Sequence, residues 1–240
     1  NFAIFQPPLP ARCMQSLALF DLDHTLLPID SEYEWGCFLV AQGAVDRSVF
    51  ERANERWMRE YRDGTLDFAR HARFSLGLLA QHPRARLEVW RAAFMREVIA
   101  PAILPTARAL VNLHLATGDL CCIVTATHRF LTEPIAAAFN VPHLLAVEGE
   151  TVGGQADGDF TGAMLGTPSF GAGKIARVND WLAQRGQRMA DFHRSVFYSD
   201  SRNDLPLMEA VSHPVAVSPD AALRASAEAR GWPIVELFGG

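Results

Sequence analysis

Two rhythms of apolar and polar positions alternate along the 240 residues of this chain. Short apolar, partly β-branched runs of strand length lie at 17–21 (LALFD), 120–125 (LCCIVT), 143–147 (HLLAV), 195–200 (SVFYSD), 214–217 (PVAV) and 233–237 (PIVEL). Between most of them the spacing predicts helices over Thr106–Thr117, Thr132–Phe139, Ile175–Arg185, Leu205–Val211 and Asp220–Arg230. Several close on Gly118, Asn140, Gly186 or Gly231, residues that tolerate the left-handed conformation of a helix C-cap. Near-continuous apolar strands alternating with helices predict an α/β fold, a parallel sheet covered on both faces.

The interval 31–103 breaks this rhythm and contains no strand signal. Ser31-x-x-Glu34 reads as a capping box opening a helix over Tyr33–Gln42. Asp46 is placed to cap a second, with Val49, Ala53, Trp57 and Tyr61 on one face. Thr65 is placed to cap a third through Leu66, Ala69, Ala72, Leu76 and Leu79, and Pro83 to start a fourth through Leu87, Trp90, Phe94 and Val98. The expected organisation is a core of 15–30 and 104–240 interrupted by a helical domain at 31–103. A glycine-rich stretch at 148–166, with turn dipeptides Gly153-Gly154 and Asp157-Gly158, predicts a hairpin or flap. Residues 1–14 read as an extension outside the fold: they hold no continuous apolar core of a secretory signal, and Met14 stands just ahead of the first periodic segment.

Composition narrows the partners. With 49% hydrophobic and 20% charged residues the chain has the make-up of a globular protein. Lys and Arg number 22 against 27 Asp and Glu, a net charge of −5, which argues against a broad nucleic-acid or anionic-membrane surface. No apolar run approaches the roughly 18–20 residues of a membrane span. Cys13, Cys37, Cys121 and Cys122 show no C-x-x-C spacing, which fits a reduced, cytoplasmic protein without a disulfide framework or zinc knuckle. A monomer or homodimer is expected.

Candidate chemistry gathers at predicted strand ends. Asp21 and Asp23 follow the first strand, where parallel α/β sheets bind ligands. Carboxylates two apart repel unless a cation lies between them; alone, they also suit a turn or a cap. Asp200, Asn203 and Asp204 follow another predicted strand, and taken alone also read as a helix cap. On one sheet edge these carboxylates make a hard-oxygen site suited to Mg²⁺, which bridges protein carboxylates to phosphate. A phosphate also needs a cation and donors, and Lys174, at the opening of a helix, and Thr125, ending the second strand with Ala126 behind it, supply them.

D-x-D-x-T at 21–25, a strand-terminal Thr125, Lys174 and S-D-S-x-N-D at 199–204 resemble, in order, the motifs of the haloacid dehalogenase-like hydrolase superfamily, over residue 16 to the C-terminus. The helical insertion resembles the type C1 cap of the phosphoserine-phosphatase-like branch. The resemblance implies a three-layer, Rossmann-like doubly wound parallel sheet and Mg²⁺-dependent hydrolysis of a small phosphorylated metabolite. Asp21 would be the nucleophile and a metal ligand; Asp23 the general acid and base, with its carbonyl on the metal. The dehalogenases of the superfamily lack that second Asp, which favours phosphoryl chemistry here. Thr125 and the Ala126 amide would hold phosphoryl oxygens and Lys174 would neutralise them. Asp200 would ligate the metal, with Asn203 and Asp204 in support.

For the leaving group, the same resemblance puts Phe68 in agreement with the branch's cap and Asp30 at the amine-binding acid, but Ser75 where an arginine grips the carboxylate of phosphoserine. Arg62, His71 or Arg73 could reach the pocket instead, and His128 is a weak candidate for substrate contact. An amine-binding acid without that arginine points to an amino-alcohol ester such as histidinol phosphate, ranked level with phosphoserine. The alternatives are a non-catalytic metal- or phosphate-binding regulator and a phosphotransferase or mutase of the same superfamily.

Overall fold

A computed structural model describes residues 15–238; the expected extension at 1–14 lies outside them. A seven-stranded sheet runs in the order β4-β3-β2-β1-β5-β6-β7, from β1 (Leu17–Phe20), β2 (Leu120–His128), β3 (His143–Thr151), β4 (Phe160–Leu165), β5 (Ser195–Ser199), β6 (His213–Val217) and β7 (Ile234–Val235). All neighbours pair in parallel except β3 and β4. The predicted hairpin is therefore real and belongs to the main sheet, with β3 running past its expected end at 147 to Thr151.

Strand alternation sorts the core into two layers. Ala18, Phe20, Cys121, Ile123, Val196 and Tyr198 face one side, with Val111 of α6 (Pro105–Ala116) and Leu131 and Ile135 of α7 (Arg129–Ala138). Leu17, Leu19, Cys122, Val124 and Phe197 face the other, against α8 (Ala172–Ala183), α9 (Leu205–Ala210) and α10 (Ala221–Arg230). This is the three-layer, doubly wound architecture expected. α7 starts three residues earlier than its pattern predicts, at Arg129, because the β2 strand delivers the chain directly into it.

Between β1 and β2 lie α1 (Ser31–Ala41), α2 (Arg47–Asp63), α3 (Phe68–Leu79), α4 (Arg84–Phe94), a π-helical turn over Met95–Ile99 and the short α5 (Ala100–Ala102). Two expected caps are corrected. Asp30 caps α1, its Oδ1 accepting from the amides of Glu32 and Tyr33, so Ser31-x-x-Glu34 is not a capping box. Asp67 caps α3 by accepting from Arg70 N, displacing Thr65; a carboxylate beside the first amides gains from the helix dipole as well as the hydrogen bond.

The inserted helices sit on the sheet through aromatic packing. Trp35 of α1 is 1% exposed; it stacks on Phe38 and meets Phe94 of α4 and Phe130 of α7 edge-on. On another side β4 packs along α3, where Gly162 comes so close that a Cβ there would lie 3.5 Å from Gly77 Cα. Trp35→Ala empties the junction between insertion and sheet and is expected to cost about 3–5 kcal/mol, read by urea denaturation; a loss under about 1 kcal/mol would show that the insertion is held elsewhere.

Candidate active site

Parallel register brings distant segments to one edge. Phe20 pairs with Ile123 on one side and with Tyr198 on the other, so Asp21, Thr125 and Asp200 all lie one or two residues beyond paired positions. Asp21 N donates to Tyr198 O at 2.9 Å, extending the ladder, and Asp21 Oδ1 accepts from Leu22 N. The chain then turns sharply: the amides of Thr25, Leu26 and Leu27 all point to Leu22 O, and His24 takes a left-handed φ of 57°.

At the centre is Lys174, 2% exposed, whose Nζ donates to Asp204 Oδ2 at 2.7 Å and stands 3.0 Å from Asp21 Oδ1. Burial alone would discharge this ammonium, but the two carboxylates reverse that and push its pKa above the ordinary lysine value. Its position depends on two glycines. Gly171 precedes α8 at φ 53°, ψ −129°, and a Cβ on Gly173 would lie 2.1 Å from the carbonyl oxygen of Pro168. Asp204 is fixed further by Ser199 Oγ, which donates to Oδ2 at 2.7 Å.

The second motif is tied to the first. Thr25 Oγ1 donates to Asp200 Oδ1 at 3.1 Å, and Ser201 Oγ accepts from Asn203 N. Burial pushes Asp200 to about 7, with His24 opposing and Asp204 reinforcing the shift. Asp21 is raised well above the ordinary carboxyl, first by burial, with Lys174 opposing and Asp204 and Asp200 adding to it. Asp23 is raised to about 6 by burial and by Asp30; its Oδ1 accepts from Ser31 N and its Oδ2 from Thr127 Oγ1, both at 2.7 Å. Thr125 Oγ1 accepts from Thr127 N at 3.1 Å, leaving its own proton to donate elsewhere.

These groups open on one cavity of about 510 Å³. Of the residues anticipated from sequence, Asp21, Asp23, Asp30, Phe68, Thr125, Ala126, Lys174, Asp200, Asn203 and Asp204 all line it. Arg73 and Arg62 do not: Arg73 is exposed on α3, and Arg62 on α2 donates to Met58 O. Asp30 reaches the cavity, but its Oδ1 is engaged as the cap of α1. The acid free of a cap on that wall is the partly buried Glu32, which the sequence did not single out; its pattern matched only a helix start. Trp57, Tyr61 and Phe170 were likewise not assigned to the site, because apolar-face periodicity marks burial without saying against what. Tyr61 OH lies 2.6 Å from Ser201 Oγ, joining α2 to the Asp200 loop.

The oxygen donors at this edge suit a hard divalent cation. Among the described residues no group of three or more His, Cys, Asp and Glu side chains closes into a cage. Asp21 and Asp200 offer two carboxylates beside an open cavity, and Asp204 is held by Lys174. That set fits Mg²⁺, which takes one or two carboxylates and keeps several waters; Cys37, Cys121 and Cys122 are free and are not lining residues.

The model of the haloacid dehalogenase-like hydrolases matches residues 18–209. The chain belongs to this family. A histidinol-phosphatase of Neisseria meningitidis serogroup C (strain 8013) is 40% identical over 224 residues, 93% of this chain and all of the relative. Phosphoserine phosphatase SerB1 of Mycobacterium tuberculosis (strain ATCC 25618 / H37Rv) is 31% identical over 95% of this chain and 72% of that protein. A solved structure of a protein of unknown function from Bordetella pertussis Tohama I superposes with TM-score 0.88 and 50% identity, covering 94% of this chain and 100% of that one. No single helix among the described residues is long and apolar enough to cross a membrane.

Two outcomes test the electrostatics and the packing. Gly173→Ala forces a backbone shift at the start of α8 and is expected to cost about 1–3 kcal/mol of stability, seen as a lowered Tm; an unchanged Tm would mean that the Pro168 carbonyl yields freely. Burial lifts Glu32 from the ordinary 4.5 to about 8, with Ser75 opposing. Between those values the folded chain keeps a proton that the unfolded chain has released, so rising pH weakens the fold through Glu32. In metal-free buffer the Tm of Glu32→Gln relative to wild type is therefore expected to climb from about pH 5 to about pH 8, by roughly 2–4 °C for each kcal/mol of penalty removed. A difference flat across that window contradicts a buried carboxyl.

Proposed function

We propose that this chain is a Mg²⁺-dependent phosphomonoester hydrolase that turns over a small metabolite through an aspartyl-phosphate on Asp21. The observation that carries the reading is Lys174, a buried cation 3.0 Å from Asp21 and 2.7 Å from Asp204 at the floor of a cavity sized for a small ester. The kinship to phosphatases supports the same reaction.

In the first half-reaction a carboxylate oxygen of Asp21 attacks phosphorus and the bond to the alcohol oxygen breaks. Asp23, raised to about 6 and held by Ser31 N and Thr127 Oγ1, gives its proton to the departing alkoxide. In the second, Asp23 takes a proton from water as that water attacks the aspartyl-phosphate, freeing phosphate and restoring Asp21. Lys174, the Thr125 hydroxyl and the Ala126 amide hold the phosphoryl oxygens, whose charge grows in the transition state. Bound Mg²⁺, held by Asp21, Asp200 and the Asp23 carbonyl and supported by Asn203 and Asp204, would neutralise phosphate charge. Helices α1–α4 act as a cap over this edge.

For the leaving group, histidinol phosphate is the reading supported best. The relative at 40% identity carries that activity in its name. Ser75 is buried where the carboxylate-gripping arginine would stand, and Arg73 points away to solvent.

Asp21→Asn, with fold verified by circular dichroism, is expected to lower phosphate release by at least about 10³-fold, and chelation by EDTA to give a loss that Mg²⁺ restores. Unchanged release by Asp21→Asn would overturn the nucleophile. A panel of phosphate esters ranked by kcat/KM is expected to place histidinol phosphate above phosphoserine and sugar phosphates.

A further inference from the structure

Outside the phosphoryl machinery three titratable side chains meet, two of them, Glu32 and His71, on the cavity wall and the third, His128, behind it. Glu32 comes from the first turn of α1, His71 from α3 and His128 from the end of β2. Glu32 Oε2 lies 3.6 Å from His71 Nε2, and Oε1 lies 3.8 Å from His128 Nε2. Both gaps exceed hydrogen-bond reach. His71 Nδ1 and both ring nitrogens of His128 are buried without a hydrogen-bond partner.

Buried polar atoms are nearly always paired, and an orphan costs of order 1–3 kcal/mol. His71 lines the cavity beside Glu32, so its orphaned Nδ1 marks a site whose missing partner arrives with a ligand, with His128 packed behind the pair. Burial keeps both imidazoles neutral, His128 down at about 3 and His71 below its ordinary value, so each offers one donor and one acceptor. The carboxylates of Asp23 and Asp30 also bear on Glu32 and disfavour its ionised form, while Ser75 opposes them. Lys174 is the one Lys or Arg among the lining residues described, and it is already engaged by Asp21 and Asp204. Trp57, edge-on to His71 at 5.5 Å, and Phe68, at 6.1 Å, add aromatic surface.

We propose that Glu32 and His71 form the leaving-group subsite and select phosphate esters whose alcohol carries a basic nitrogen group, while rejecting those that carry a carboxylate. This rests on the phosphomonoesterase reading above. A nitrogen cation entering the pocket draws the proton of Glu32 off to solvent, pairs with the carboxylate and donates to His71; a carboxylate would meet acidic groups with no free cation to offset them. Specificity then comes from repulsion as much as from attraction.

The test compares wild type, Glu32→Gln and His71→Ala on histidinol phosphate, phosphoethanolamine, phosphoserine and p-nitrophenyl phosphate with Mg²⁺. Wild type is expected to favour the two carboxylate-free amines over phosphoserine by at least about 30-fold in kcat/KM. In Glu32→Gln the ratio of kcat/KM for histidinol phosphate to that for p-nitrophenyl phosphate is expected to fall by about 30-fold, chiefly through KM; His71→Ala is expected to move it the same way. A wild-type preference for phosphoserine, or an unchanged ratio in both variants, overturns the subsite. If no ester is turned over, the hydrolase reading fails on its own. The subsite is then decided by calorimetric titration of histidinol, where Glu32→Gln is expected to weaken binding at least about tenfold; equal binding by both proteins overturns it.

Discussion

Everything at the carboxyl edge of the sheet depends on one buried ammonium. Asp200 and Asp204 both raise the cost of ionising Asp21, and Asp204 raises that of Asp200; Lys174 offsets that cost by standing between Asp21 and Asp204. Breaking a buried pair leaves an uncompensated charge and is far more costly than losing an exposed one. The surroundings are correspondingly constrained: glycine at 171 and 173 lets α8 start against Pro168, and Ser199 holds the Asp204 carboxylate so that Lys174 meets it. The sheet supplies the rest, because parallel strands end together.

The inserted helices are built into this arrangement as well as lying over it. Asp23 accepts from the first amide of α1, at Ser31, and from Thr127 on β2, so one carboxylate ties the turn after β1 to the insertion and to the neighbouring strand. Tyr61 reaches from α2 to Ser201, beside Asp200. The β3–β4 hairpin packs along α3, and Trp35 fills the junction with α7. The cavity is thus walled by elements anchored to the sheet on several sides, which favours a pre-formed pocket for a small ligand.

Much of this was legible without coordinates. Strand positions followed from apolar runs, helix ends from Gly and Asn, and the core motifs from carboxylates placed just after strands; Asp21, Thr125, Lys174 and Asp204 do line one cavity. The expectations that failed were local competitions. Ser31 and Asp30 are both good N-caps one residue apart, as are Thr65 and Asp67 two apart, and the choice between them fell to the carboxylates. Arg73 seemed able to reach the pocket because helical spacing gives a direction around the axis but not which neighbour lies there.

Sequence by itself determined the elements, the sheet edge on which chemistry gathers and the residues able to perform it, because hydrophobic period, capping and charge type act over a few residues. Only the tertiary structure decided which acid and which histidines meet at the pocket, Glu32 and His71 on its wall and His128 behind them. Glu32, His71 and His128 stand 39 and 57 residues apart in turn, on α1, α3 and β2; the two histidines were candidates from sequence, but no local pattern marks Glu32 or brings the three together. Their meeting follows from how the inserted helices pack on the sheet, and that packing is set by Trp35, Phe94 and Phe130 rather than by the polar residues that it brings together.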